Sequence, residues 1–313
     1  MIRNVFARYI PETVVKILSD YCIYLLVRVL FCFVQSLSLE KGHQLARLLS
    51  SLFTFVIPAR KKLLHQNLTL AFPEKTKEER TRLIHKMWEH LFLMGIEVAL
   101  AKRKIRDLNW TQFIQLHNIT PLLSLLHQDR PVILVTGHFG NFEMGGFSLG
   151  VLTYPSNSVA RTLDNPFLNR FVNDFRESTG QFLISKNDGY EDILAVLGHN
   201  GLMAFLVDQS AGRKGCMVNF FGKRASTYKA IALFSLQYNA PLVVCYAIRR
   251  KDGNGNFLPL QFDMHITEVF DPLHLPQDIQ NVKEITQWFT LKLEEGIRQA
   301  PEQYWWVHNR WKE

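Results

Sequence analysis

His138 and Glu143 stand five positions apart in the segment Gly137-His138-Phe139-Gly140-Asn141-Phe142-Glu143. On one unbroken helix that spacing turns them about 140° apart, because residues advance roughly 100° each. They meet only if the chain bends between them. Gly140 permits a bend, and Asn141 is a good N-cap for a helix that would carry Glu143 in its first turn. A carboxylate on one imidazole nitrogen fixes the tautomer and leaves the other nitrogen free to take a proton. Such a base suits removal of a hydroxyl proton as that oxygen attacks a thioester. Candidate donors to the developing oxyanion are the backbone N–H groups from Gly140 to Phe142 and the guanidinium of Arg161. A core histidine beside an unrelated surface glutamate is the competing reading, and a bare H-x4-E pattern does not exclude it.

The elements around this segment must place it. Val132 to Thr136 reads as a buried strand that ends just before His138. In open α/β sheets, ligands bind beyond the carboxyl ends of the strands. Further strands are predicted at Asn157–Arg161, Gln181–Ser185, Leu202–Val207 and Pro241–Ile248, with a strand pair over Phe257–Phe270. Helices are predicted at Pro166–Thr179, Tyr190–His199, Thr227–Tyr238 and Val282–Gln299. Asp208 and Gln209 follow a strand end and are candidate substrate-binding residues with Gly140, Asn141 and Arg161. Arg176 could reach the site or be solvated, and Gly180 suits a helix C-cap. Thr76-x-x-Glu79 is a capping box opening a helix whose apolar positions from Leu83 to Met94 recur at helical spacing. This alternation predicts an α/β fold: a mixed, mainly parallel sheet flanked by helices, with an N-terminal membrane-associated helix.

That helix is expected from Tyr21 to Leu39, YCIYLLVRVLFCFVQSLSL, about the length that crosses a hydrocarbon core. Arg28 is its only charge and opposes full spanning, so the helix either spans or lies in the interface. A second apolar stretch, Leu45 to Ile57, is too short to span. The expected division is a membrane helix region over residues 1–40 and a catalytic domain over 41–313.

With 47% apolar residues the chain can bury a large core, and its net charge of +8 points to an anionic partner or surface. The cations form short clusters, among them Arg60-Lys61-Lys62, Arg213-Lys214 and Lys223-Arg224. Cys22, Cys32, Cys216 and Cys245 form no C-x-x-C pair, which argues against a disulfide framework or a zinc-thiolate site. Walker, dinucleotide and H-E-x-x-H motifs are absent, so neither cofactor nor metal is expected. No nucleic-acid-binding motif accompanies the basic charge. A non-catalytic basic membrane binder remains one alternative. A serine hydrolase is another, because Gly146-Phe147-Ser148-Leu149-Gly150 matches G-x-S-x-G. However, a nucleophile elbow follows a strand directly, and Ser148 falls inside a predicted helix.

Several segments carry a wider likeness: KKLLHQNLTLAFP at 61–73, TGHFGNFE at 136–143, Val159-Ala160-Arg161 followed by Asp164-Asn165-Pro166, Asp208-Gln209, Asn219-Phe220-Phe221-Gly222, and PEQYWWVHNRW at 301–311. In these the chain resembles, over nearly its whole length, the lipid A biosynthesis acyltransferases, the lauroyl and myristoyl transferases of Gram-negative bacteria, with a lysophospholipid acyltransferase-like character. The resemblance implies one N-terminal helix in the inner membrane and a catalytic domain facing the cytoplasm. It implies His138 and Glu143 as the catalytic pair and Arg161 near the site. The implied donor is a thioester of acyl carrier protein or coenzyme A, and the implied acceptor is a hydroxyl of a lipid A precursor. Phe142 stands where many relatives carry Trp. After Gly222 the run is Lys223-Arg224-Ala225-Ser226-Thr227-Tyr228-Lys229, where relatives often have Pro-Ala and then Thr-x-x-Gly. Another phospho- or glycolipid acceptor is therefore an open alternative.

Overall fold

The computed structural model describes residues 12–312, apart from 58, 107, 275, 277, 278 and 280. The first eleven residues of the expected membrane region thus lie outside the described residues. Helix α1 (Glu12–Ser36) begins nearer the N-terminus than the apolar run suggested and stops before Leu39. Its stretch Thr13–Ser36 is long and apolar enough to cross a membrane by length and composition, and none of it is buried. The amphipathic helices α2 (Leu39–Ser51), α3 (Lys61–Ala71) and α4 (Lys77–Lys104) follow. α4 starts at the capping box, with the Thr76 side chain accepting from the Glu79 N–H and Glu79 accepting from the Thr76 N–H.

The body is a seven-stranded sheet. In chain order its strands are β1 (Ile114–His117), β2 (Val132–Thr136), β3 (Ser156–Ala160), β4 (Gln181–Ser185), β5 (Leu202–Leu206), β8 (Leu242–Lys251) and β9 (Phe257–Phe270). Their spatial order is β1-β9-β8-β2-β5-β3-β4, and only the β8–β9 pairing is antiparallel. Between β5 and β8, the strands β6 (Cys216–Phe220) and β7 (Lys223–Thr227) form a separate antiparallel hairpin. Two expectations change here. Phe257–Phe270 is one long strand, not a pair. Thr227 ends a strand, and the next helix starts only at Ala230.

Both faces of the sheet are covered, which is why the central strands read as continuous apolar runs. One face packs α5 (Thr120–Leu126) and α6 (Phe142–Val151) through Leu122, Leu125 and Leu149 against Leu134, Leu202, Val243 and Cys245. The other packs α8 (Tyr190–Gly198), α9 (Ala230–Tyr238) and α10 (Val282–Gln299) against Ile133, Val135, Met203 and Val244. The remaining helix, α7 (Pro166–Glu177), receives α1 on an aromatic ladder. Phe167, Phe171 and Phe175 meet Tyr21, Tyr24 and Phe31 edge-on or tilted. Arg28, the charge in the apolar run, bonds the Tyr24 hydroxyl and lies over the Phe171 ring at 5.0 Å. Its cation is thus shielded on an aromatic face.

Candidate active site

His138 lies two residues beyond β2, and Asp208 lies two residues beyond β5. The two strands are parallel neighbours in register, Thr136 opposite Leu206, and the Val207 N–H donates to Thr136 O. That register carries His138 and Asp208 to the same level. The His138 Nδ1–H donates to Asp208 Oδ1 at 2.9 Å. A carboxylate only accepts, so this bond leaves the lone pair on Nε2. Asp208 is 2% exposed. Burial alone would raise its carboxyl, but the adjacent His138 charge and hydrogen bonds hold it below the ordinary value. Beside it the Tyr304 phenol is pushed well above its usual range, first by burial and then by the Asp208 charge.

The expected hydrogen bond between His138 and Glu143 is not formed. The bend is present: Gly140 takes φ +60°, and a Cβ there would lie 2.0 Å from Ala247 O. Asn141 caps α6, accepting from the Met144 N–H. Glu143, in the first turn of α6, turns instead to Arg176 on α7, which grips both carboxylate oxygens, Nε at 3.1 Å and Nη2 closer. A planar fork matches a carboxylate better than an imidazole edge can, and it draws Glu143 towards α7. Both residues still line the same cavity as His138.

The oxyanion expectation also narrows. The Gly140 N–H donates to Gln303 O and the Asn141 N–H to Ala247 O. Among the described residues nothing accepts from the Phe142 N–H, so it alone of the three remains to serve a ligand. Arg161 lines the cavity but is largely exposed and reaches Asp164 at 3.4 Å. Gln209 lines it too, with its side-chain nitrogen 3.4 Å from Nε2 of both His138 and His308. Ser148 is buried in α6 and donates to Met144 O, outside the cavity lining.

Beneath the bend lies a buried polar frame that the sequence did not reveal. Glu97 on α4 accepts from Arg249 Nη1 and the Leu260 N–H through Oε1, and from Asn141 Nδ2 through Oε2. His90 Nε2 bonds Gly140 O, and its Nδ1 accepts from Arg249 Nε. Burial and the Arg249 charge depress the His90 pKa far below its usual value, so the ring stays neutral. The C-terminal segment closes the other side. The Trp305 N–H donates to His138 O, and Asn67 Nδ2 holds the carbonyls of Trp306 and His308 at 2.7 Å each. Trp305, Phe142 and His308 ring the His138 imidazole at 4.8–5.3 Å. His308 falls to about 4, mainly through burial and then through the His138 charge.

The cavity encloses about 590 Å³ at the strand ends. Its walls are mostly apolar. Cys245 in its lining is pushed up to about 12 by burial, so its thiol is no nucleophile. Among the described residues, one cluster could hold a metal ion: His117, Asp263 and His265, with ligand atoms within 4.8 Å of one another. None of the three lines the cavity, and His117 Nε2 already bonds Asp263.

A histidine lining a mostly apolar cavity is a layout suited to long hydrocarbon chains, and comparison with known proteins defines the class as acyltransferase. Residues 12–313 match the bacterial lipid A biosynthesis acyltransferases, and the chain belongs to that family. It is 27% identical over 259 residues to a lipid A biosynthesis lauroyltransferase of Escherichia coli (strain K12), covering 81% of this chain and 79% of that protein. It is 24% identical over the same length to that organism's lipid A biosynthesis palmitoleoyltransferase. Among solved structures it is similar to the 1-acyl-sn-glycerophosphate acyltransferase of Thermotoga maritima, at 13% identity and a TM-score of 0.38. That match covers 87% of this chain and all of the other.

Proposed function

We propose that the protein moves a fatty-acyl group from a thioester of acyl carrier protein or coenzyme A to a hydroxyl of a lipid A precursor. The single observation that carries the mechanism is the Asp208–His138 bond, which engages Nδ1 and turns Nε2 to the cavity that His138 lines. The acceptor hydroxyl oxygen attacks the thioester carbonyl carbon while Nε2 takes its proton. The Phe142 N–H, at the start of α6 where the helix dipole is positive, supports the oxyanion. As the tetrahedral intermediate collapses, the C–S bond breaks and the imidazolium returns the proton to the leaving sulfur. The products are an ester and a free thiol, and no acyl-enzyme forms.

In this reading Asp208 orients His138 and balances its charge. Glu143 and Arg176 form the rim against which the acceptor is positioned, with Arg161 beside them. Neither cofactor nor metal is needed by this scheme. The exposed pairs Arg213-Lys214 and Lys223-Arg224 suit an acidic carrier protein. The helix α1 would hold the domain at the cytoplasmic face of the inner membrane, as a unit distinct from the domain that follows residue 40. The test is acylation by purified protein in detergent, supplied with each thioester and a lipid A precursor, read by mass spectrometry. The reading fails if no thioester yields a fatty-acyl mass gain on lipid A, or if His138→Ala retains the activity. A gain confined to another phospho- or glycolipid would move the acceptor and leave the chemistry standing.

A further inference from the structure

The cavity is lined from both faces of the sheet. On the α6 face its lining is Leu134, Leu149, Ala204, Cys245 and Met264. On the opposite face it is Tyr190, Ile193, Phe205, Ile231 and Phe234. Alternate residues of β5 supply the two sides, Ala204 one and Phe205 the other, as the period of a strand requires. Leu134, Leu149, Cys245 and Met264 are each buried, as are Ile193, Ile231 and Phe234 on the other face, where Tyr190 is 58% exposed. An apolar wall of fixed side chains discriminates chain length by the room it leaves.

Helix α6 carries three glycines, although glycine weakens a helix interior relative to alanine. Two have a packing reason. A Cβ at Gly146 would meet the Gln181 side chain at 2.1 Å, and one at Gly150 would meet Thr179 O at 1.8 Å. Gly145 has none: a Cβ there would find nothing within 4 Å, because the position faces into the cavity. A helix-weakening residue beside empty apolar space keeps that space open.

We propose that the α6 side of the cavity receives the donor's fatty-acyl chain, and that the bulk of residue 145 sets the longest chain accepted. This deepens the acyl-transfer reading and rests on it. Each methylene denied burial loses roughly fourfold in the rate constant for that donor. The experiment compares Gly145→Ala and Gly145→Leu with the unaltered protein, using decanoyl, lauroyl, myristoyl and palmitoyl thioesters of acyl carrier protein. Displacement of a fluorescent fatty acid by the corresponding free acids runs in parallel. In Gly145→Leu the palmitoyl-to-decanoyl rate ratio is expected to fall by about tenfold or more, with a smaller fall in Gly145→Ala and the same order in binding. Ratios that stay within about twofold in both variants, in transfer and in binding alike, overturn the assignment. If length-dependent binding shifts with residue 145 while no thioester is ever turned over, the chain-binding assignment stands and the acyl-transfer reading falls.

Discussion

Asp208 and Glu143 are both carboxylates near His138, and their surroundings divide their work. Asp208 sits just beyond the end of a central strand, almost without solvent, and its carboxylate bonds the His138 imidazole. Glu143 sits on the first turn of a helix at the rim and is clamped by a guanidinium. A rigid strand end positions a base more tightly than a helix start bound to a long arginine. The carboxylate nearer in sequence is therefore not the one that orients the histidine.

Substitutions at the two carboxylates should separate these roles. Asp208→Asn keeps the shape but offers an amide to Nδ1 and favours the wrong tautomer. We expect kcat to fall about 10³- to 10⁴-fold in a steady-state thioester assay, with an unchanged melting temperature. Equal losses in Asp208→Asn and Glu143→Gln would erase the distinction. The frame beneath should respond in stability instead. Arg249→Met leaves Glu97 buried without its cation, and denaturant unfolding should show a loss of about 3–5 kcal/mol. Glu143→Gln is expected to cost about tenfold, chiefly in KM for the acceptor, since it loosens the clamp on Arg176 without touching Nδ1.

The smallest effect concerns His308. Its folded pKa is about 4, below the unfolded value near 6.5, so between these values the unfolded chain binds more protons. Its contribution to stability is whole above about pH 6.5 and is lost progressively as the pH falls towards 4. Melting temperatures of His308→Gln should therefore decline less steeply over that window than those of the unaltered protein. Parallel curves would show that His308 is not the group responsible.

Much of this was legible from local pattern. The apolar run of β2, the bend at Gly140, the Asn141 cap and the capping box at Thr76 all depend on residues within a few positions of one another. The apolar stretch of α1 was legible as well, though its start was not, because Lys16 and Asp20 interrupt the apolar residues that begin at Val14. Asp208 was visible as a residue after a strand, but its partner was not. One signal was available: His138 and Asp208 each follow closely on the end of an apolar strand. Nothing local said that those strands are neighbours in register.

The sequence by itself determined the class of most elements of the sheet, the histidine at a strand end and the glycine that lets the chain turn there. These follow from backbone sterics and from side-chain periodicity, which act over a few residues. Only the tertiary structure decided which carboxylate reaches His138, that Arg176 claims Glu143, and that Glu97 and Arg249 meet under the bend across 152 positions. Those choices come from strand register and from helix packing across the sheet. They are settled by burying the whole core at once, so no short segment contains them.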